Sequence, residues 1–315
     1  MTLILLTLKR ISLVVIFLLC SACSTINPVE LANYNDIYTK TQESGDLILD
    51  QVASVMLSDD GTISDVQRCE VDPKTGFRPC FYTGLAKTGK ASRVDEPVDI
   101  KVRRLSLGII GHYNALLLAQ VEGKSAQEIN QRLEQFVAVY GSWSGLTSAA
   151  NLFSGLPMTG IKKVINELEG VRADYVSAQS LVAANADIHA MIDFIIQDTP
   201  VLYKIYIAQF NGKLGKTKIA LKRAQLKKQT GLVKQLQQKL KNLQNPNDSA
   251  NKAQHFELAL IAYIKMLDLT DKTLTELVSM NASESKNPLQ RMTFVIERSL
   301  ELRVLADQLA SQLKE

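Results

Sequence analysis

Sequence signatures of catalysis are scarce in this chain. It has three histidines in 315 residues, at positions 112, 189 and 255, and they are too far apart for a local ligand motif. There is no Gly-x-Ser-x-Gly sequence, which would place a nucleophilic serine on a tight turn. We therefore expect no catalytic residue, no metal site and no cofactor. The sequence favours a non-catalytic role.

The chain also lacks an apolar run long enough to cross a membrane. Residues 11–22 form an apolar stretch of 12 residues, whereas a spanning helix needs about 20. Extending this stretch back to Leu3 would place Lys9 and Arg10 in the bilayer, at about 2.5–3.5 kcal/mol each. A basic pair, a short apolar run and small residues are typical of a cleaved export signal. We expect residues 1–22 to be removed.

The end of this signal resembles the lipobox of bacterial lipoproteins, whose usual pattern is Leu, a small or branched residue, Ala or Gly, and Cys. Ser21, Ala22 and Cys23 match the pattern, whereas Cys20 stands where leucine is usual. The resemblance covers about the first 24 residues. It implies that Cys23 carries lipid, that residues 23–28 form a short tether, and, from Ser24, that the protein is sorted to the periplasmic face of the outer membrane. Cleavage of an ordinary secretory signal near Ala22 is the alternative.

Cysteine is rare, with four in the chain. If Cys20 leaves with the signal and Cys23 carries lipid, only Cys69 and Cys80 remain. Two prolines and a glycine at positions 73–79 predict a turn between them, and an oxidising compartment would favour their pairing. We expect a structural disulfide, which would contribute roughly 3 kcal/mol for a loop of this length. A redox or metal-binding pair is the alternative, but it needs closer spacing or further ligands.

Most of residues 29–315 show apolar side chains at steps of three and four residues, which predicts an all-α, elongated helical bundle in one domain. Helices are expected over 29–57, 100–121, 125–140, 161–168, 173–197, 201–243, 249–280 and 288–313. Ser125 and Glu128 have the spacing of a capping box at the start of one of them. Residues 58–96 are expected to form an irregular loop that holds the disulfide, with a short hairpin around CFYTGLA as an option.

The last third of the chain is expected to contain a long antiparallel helical hairpin over residues 201–280. Apolar residues repeat every seven positions in both of its arms, which is the pattern of coiled-coil packing. The first arm carries Ile219, Leu226, Val233 and Leu240, and the second carries Leu260, Leu267 and Leu274. We expect the two stripes to face each other inside the chain; a partner-binding surface is the alternative.

Acidic residues are missing between Asp198 and Asp248, where 11 Lys or Arg residues occur. Seven of these cations are candidates for binding an anionic surface: Lys213, Lys216, Lys218, Lys222, Arg223, Lys227 and Lys228. Such a helix would be attracted to anionic lipid head groups or to acidic envelope polymers, by roughly 1 kcal/mol per basic residue near a charged membrane. The alternative is a solvated face opposite the acidic helix that carries Glu257, Asp268, Asp271 and Glu276.

Charge is also absent from residues 135–161, a stretch of 27 residues. Gly141, Gly145 and Ala149 have the four-residue spacing of small residues at close helix contacts, particularly in membranes. This stretch is compatible with a membrane-inserting hairpin. We favour a buried helix-loop-helix corner, because four glycines and Pro157 dilute its hydrophobicity.

Together these features predict a lipid-anchored periplasmic scaffold or adaptor that holds an envelope protein or a cell-wall polymer near the outer membrane. The expected partners are the membrane, through lipid on Cys23, and this envelope component, and no nucleic acid is expected. Two other functions remain open. One is a membrane-active protein that uses residues 135–161, and the other is an envelope hydrolase whose active site is assembled from distant residues.

Overall fold

The protein is described by a computed structural model in which eight helices and three short strands are placed. The described residues are 28–57, 63–68, 79–83, 92–150, 152–153, 155–170, 178–243, 246–280 and 288–314. The helices are α1 (Pro28–Leu57), α2 (Val98–Val121), α3 (Ala126–Ala150), α4 (Thr159–Gly170), α5 (Ala178–Leu226), α6 (Thr230–Leu243), α7 (Pro246–Met280) and α8 (Pro288–Lys314). The strands are β1 (Ile63–Arg68), β2 (Pro79–Thr83) and β3 (Ser92–Val94).

Helix α1 lies at the centre of the bundle and packs against α2, α5, α7 and α8. Its apolar residues recur at helical steps, so that Tyr34, Tyr38, Ile48 and Val52 are all buried. The Tyr38 hydroxyl donates to the Leu107 carbonyl on α2 at 2.5 Å, which satisfies the polar end of a fully buried ring. The helical bundle predicted from periodicity is thus confirmed.

Side-chain pairs show the direction of each helix. Tyr34, early in α1, bonds Asn114, late in α2. Asp46, later in α1, bonds Arg104, early in α2. The two helices are therefore antiparallel. Similar pairs show that α5 runs parallel to α1 and that α7 runs antiparallel to it. We call the end where α1 begins the proximal end, and the end where α1 finishes the distal end.

The three strands form one antiparallel sheet in the order β1-β2-β3, and β1 and β2 contact α1. In the β1–β2 pair Val66 lies opposite Phe81, and in the β2–β3 pair Phe81 lies opposite Val94. The prediction of an irregular segment over residues 58–96 is wrong for these strands, whereas the optional hairpin around CFYTGLA agrees with β2, which pairs on both sides. Short runs of β-branched and aromatic residues favour such pairing. The all-α class is confirmed for the body of the chain, with this small sheet as the exception.

Helix α5 continues through Pro200, so the predicted helix break at this position is wrong. Proline lacks the N–H that would bond four residues back, but side-chain contacts flank it on the same helix. The Thr199 hydroxyl donates to the Ile195 carbonyl at 2.7 Å. Arg103 donates to both carboxylate oxygens of Asp198, at 2.5 and 3.0 Å. Leu202 then continues the buried face beyond the proline.

The expected single helix over residues 201–243 is interrupted after Leu226. Lys228 has a φ of 53°, in the left-handed region. Gln229 N donates to the Ala224 carbonyl and Lys228 N to the Gln225 carbonyl, both at 3.0 Å, which is the Schellman pattern of a helix end. The chain then turns and α6 packs back on α5. The sequence did not indicate this stop, because a lysine occupies the position where glycine is usual.

The prediction that the two heptad stripes face each other is wrong, because only one of them is buried. In α7 the stripe Leu260, Leu267 and Leu274 is buried, as expected. In α5, however, Ile219 is 55% exposed and Leu226 is 76% exposed. The face of α5 that packs carries Thr217 and Ala224 instead, both buried. Because α6 folds back on that other face, the heptad positions of α5 are left facing solvent.

Candidate functional site

A basic two-helix arm projects from the distal end of the bundle. We define the basic arm as residues 213–241, which include the end of α5 and most of α6. Tyr206 of α5 stacks on Phe256 of α7 at a ring-centroid distance of 4.2 Å, in a cavity that Gln51 of α1 also lines. At a rise of about 1.5 Å per residue, Leu226 lies about 30 Å farther along α5 than Tyr206. The arm therefore extends past the body of the bundle.

The candidate cations predicted from the sequence all lie on this arm. Lys213 is partly buried, and the other six are exposed: Lys216, Lys218, Lys222, Arg223, Lys227 and Lys228. On α6, Lys234, Lys239 and Lys241 are also exposed. Since no acidic residue occurs between Asp198 and Asp248, this segment carries positive charges and no negative charge of its own. This concentration of one sign of charge would attract anions.

Two acidic residues of α7 bond partners outside the arm in the part of the chain that the structure describes. Asp268 accepts from Lys272 of its own helix at 2.6 Å, and Asp271 bonds His189. Lys222 and Arg223 form no salt bridge within the described ranges. Helix α6 packs on α5 rather than on α7. For Lys222 and Arg223, balance by the acidic residues of α7 is therefore not seen within the described ranges, whereas for the rest of the arm that alternative stays open.

A buried charge cluster near the distal end was missed by the sequence analysis. Arg104 of α2 donates to Asp46 at 2.5 Å, to Asp50 at 2.6 Å and to Glu96 at 2.9 Å. Its side chain is 8% exposed, so three carboxylates surround one buried guanidinium. The cluster links α1, α2 and the segment before α2. Adjacent Arg103 and Arg104 in an otherwise apolar helix were the signal that could have revealed it.

Burial raises the pKa of Asp46 to about 6, because desolvation outweighs the attraction of Arg104, and Asp50 and Glu96 add repulsion. The pKa of Glu96 is raised as well, by burial first, against the opposing effect of Arg104. An ionised Asp46 therefore destabilises the fold relative to its protonated form. The cluster orients the helices, but at neutral pH its excess negative charge has a cost.

Replacing Asp46 with asparagine is expected to raise the free energy of unfolding at pH 7.5 by about 1–3 kcal/mol. The pKa of Asp46 is higher in the folded state than in the unfolded state, so a protonated Asp46 stabilises the fold. This stabilisation is complete below about pH 4 and is lost as the pH rises through about 6. The gain should shrink towards pH 5, as urea unfolding at both pH values would show. Exposed Asp268→Asn is the control, with an expected change below about 1 kcal/mol. A variant less stable than the parent at pH 7.5 would contradict this assignment.

His189 and Asp271 form the one histidine–carboxylate pair in the described ranges, 82 positions apart in the chain. Asn185 Nδ2 lies 2.9 Å from His189 Nε2. We assign the amide as donor, which leaves the proton on Nδ1 for Asp271. The acceptor nitrogen of His189, Nε2, therefore bonds an amide. In a Ser-His-Asp triad this nitrogen would bond a nucleophilic hydroxyl instead. The pair joins α5 to α7, and we assign it a structural role.

The other two histidines lie apart from this pair. Burial lowers the pKa of His112 on α2, and the charge of Arg132 lowers it further. His255 lines a distal cavity of about 120 Å³, whose other lining residues are Gln51, Tyr206, Lys252, Phe256, Gln312 and Leu313. None of these described lining residues is a carboxylate, so this cavity lacks the acidic pair expected for the hydrolase alternative. No group of three or more potential metal-ligating side chains occurs among the described residues.

The uncharged stretch 135–161 forms a helix-loop-helix corner in the described part of the chain. Helix α3 continues to Ala150, beyond its predicted end at Tyr140, and α4 begins at Thr159. Trp143 is buried, packs edge-on against Phe153 at 5.7 Å and donates to the Ser106 hydroxyl at 2.8 Å. The predicted small-residue contact is wrong at its two glycines, because a Cβ at 141 or 145 would meet no atom within 4 Å.

No helix in the described ranges has the length and apolarity needed to span a membrane. Cys23 and Cys69 lie outside the described residues, and the side chain of Cys80 is not described either. The lipid site and the disulfide therefore stay predictions from the sequence. Among the features that are described, the basic arm has the properties of a binding surface.

The chain was compared with protein families, curated proteins and solved structures. No family model, curated protein or solved structure matches this chain.

Proposed function

We propose that the protein is a non-catalytic scaffold, held by lipid on Cys23 at the periplasmic face of the outer membrane, whose basic arm binds an anionic component of the envelope. The observation that carries this proposal is the arm itself. All of its cations except Lys213 are exposed, its sequence has no acidic residue, and it projects beyond the bundle. The lipid anchor rests on the resemblance of residues 20–23 to a lipobox.

The positions of the two attachment points support a scaffold. Cys23 precedes Pro28, the first residue of α1, by five positions, and five residues reach at most about 17 Å. The lipid would therefore hold the proximal end. Asn185 of α5 lies near that end, beside Tyr113, and Leu226 is 41 positions farther along the helix, about 60 Å. A lipid at one end and a charged arm at the other suit a protein that connects two partners.

The interior of the bundle supports a rigid connector. Tyr34, Tyr38 and Tyr263 are buried in the core, and burial raises the pKa of each hydroxyl far above its usual value. Thr41 and Thr270 bond each other across the α1–α7 contact at 3.2 Å. Such satisfied polar contacts specify one packing arrangement. The arm is therefore attached to a well-packed body.

Binding of the lipid-free chain from Cys23 onward to isolated Gram-negative envelopes tests the arm. The parent should co-sediment with envelopes at low salt. The double variant Lys222→Glu and Arg223→Glu should bind at least about 30-fold more weakly, since each lost cation is worth roughly 1 kcal/mol near a charged surface and the two glutamates add repulsion. The matched control is Lys162→Glu and Lys163→Glu, an exposed adjacent pair on α4, which should bind like the parent.

Labelling of the full chain in cells tests the anchor. Labelled palmitate should enter the parent protein and should be lost in Cys23→Ser. Absence of label from the parent would remove the anchor from the proposal. Equal loss of envelope binding in the α4 control and the arm variant would show that the arm is not the binding element.

A further inference from the structure

One face of the arm carries exposed apolar residues between its cations. Ile219, Lys222, Arg223 and Leu226 are spaced at i, i+3, i+4 and i+7, so they share one face of α5. All four are exposed, with Leu226 at 76%. The opposite face, which includes Ala224, packs against α6. We call this set of four residues the tip face.

On this basis we propose that the tip face binds an anionic lipid surface. Ile219 and Leu226 enter the boundary between head groups and acyl chains, and Lys222 and Arg223 contact lipid phosphates. This inference rests on the proposed function, which makes the arm a binding element, and adds the nature of its partner. A basic helix face with apolar residues is the usual composition of helices that lie in a membrane interface.

Apolar exposure distinguishes a lipid surface from a hydrophilic polymer. Cations alone would suit either partner, but a polymer leaves Leu226 and Ile219 in water, whereas a bilayer interface removes them from it. Leu232, on α6, is 43% exposed and adds a third apolar side chain to the arm. A uniform run of positive charge also matches a uniformly charged surface better than a protein surface, where charges of both signs are interspersed.

The location of the tip face gives this contact a geometric consequence. Leu226 lies about 60 Å along α5 from Asn185, which is near the proximal end. Lipid contact at the tip face would therefore be separate from the lipid on Cys23. A lipid chain and a basic amphipathic face together hold a protein on a membrane more firmly than either alone. The molecule would contact lipid at both of its ends.

Vesicle flotation with the lipid-free chain from Cys23 onward tests the proposal. Vesicles of phosphatidylethanolamine and phosphatidylglycerol in a 3:1 ratio should carry the protein, and phosphatidylcholine vesicles should not. Leu226→Ser should weaken binding about tenfold, because the leucine no longer enters the interface. Leu300→Ser is the matched control, since Leu300 is 58% exposed on α8 and lies outside the arm; it should bind like the parent.

A tryptophan at the tip face supplies a second measurement that does not depend on loss of binding. Leu226→Trp should show a blue shift of its emission when phosphatidylglycerol vesicles are added, against a constant signal from buried Trp143. Equal flotation of Leu226→Ser and the parent, or no emission shift, would overturn the lipid assignment. Binding to purified cell-wall sacculi, but not to these vesicles, would also overturn it and would leave the proposed function standing.

Discussion

Replacing Arg104 with methionine is expected to lower the free energy of unfolding at pH 7.5 by about 3–5 kcal/mol. Methionine keeps an unbranched apolar stem, although it is shorter than arginine, and leaves Asp46, Asp50 and Glu96 together in a buried site without their cation. At pH 5 the loss should be smaller, because these carboxylates take up protons once the guanidinium is gone. Urea unfolding at both pH values measures the difference.

Two further variants show whether charge causes this loss. Arg298→Met removes an exposed partner of Glu301 on α8 and should cost less than about 1 kcal/mol. Adding Asp46→Asn, Asp50→Asn and Glu96→Gln to Arg104→Met should recover much of the stability. If the neutralised variant is as unstable as Arg104→Met alone, lost packing rather than uncompensated charge explains the effect.

Replacing Gly160 with alanine is expected to cost about 3 kcal/mol, because the site has no room for a methyl group. A Cβ at this position would lie 2.3 Å from the Ala183 carbonyl oxygen and 2.7 Å from the Ala184 Cα. Both atoms belong to the backbone of α5 and cannot rotate away, so α4 and α5 would have to separate. Thermal and urea unfolding of the variant measure the loss.

The same substitution should have the opposite sign at Gly141 and Gly145. A Cβ there would meet no atom of another element within 4 Å. At an exposed position inside a helix, alanine is more favourable than glycine by about 0.8–1.0 kcal/mol. Each variant should therefore be more stable than the parent. Destabilisation at Gly141 or Gly145, or a neutral result at Gly160, would show that the helix contacts are misassigned.

These glycines show what a sequence pattern can and cannot predict. The spacing of Gly141, Gly145 and Ala149 pointed to a close helix contact, yet the crowded glycine is Gly160, which has no such pattern around it. Close approach is a property of two surfaces that meet. One helix's sequence contains only one of those surfaces, so the correct glycine could not be chosen from it.

The start and end signals of helices were predicted with more success where the cause is local. Ser125 and Glu128 form the expected capping box, with Ser125 N donating to Glu128 at 3.1 Å and Glu128 N donating to Ser125 Oγ at 3.3 Å. Gly123 has a φ of 66° just after α2, as a glycine stop signal predicts. At Pro200 the local signal was wrong, since α5 continues through it while α2 contacts the adjacent turn at Asp198.

For the candidate site, the positive charge of the arm could be predicted from the sequence, because counting Lys and Arg requires no knowledge of tertiary contacts. Its apolar tip face was not. The heptad of Ile219 and Leu226 was expected to be buried, and α6 instead covers the face that carries Thr217 and Ala224. The turn at Lys228 decides which face is covered, and no glycine announces it.

The sequence by itself determined that this chain is mainly helical, that one segment is strongly basic, and that its first residues resemble a lipoprotein signal. These follow from spacing and composition within short segments, because helix periodicity and charge are local properties. Only the tertiary structure decided which faces are buried, which glycine is crowded, and that Arg104 lies among three carboxylates. Those outcomes depend on contacts between residues far apart in the chain, such as Asp46 with Arg104, 58 positions apart, and Thr41 with Thr270, 229 positions apart, and such contacts form only when the helices pack.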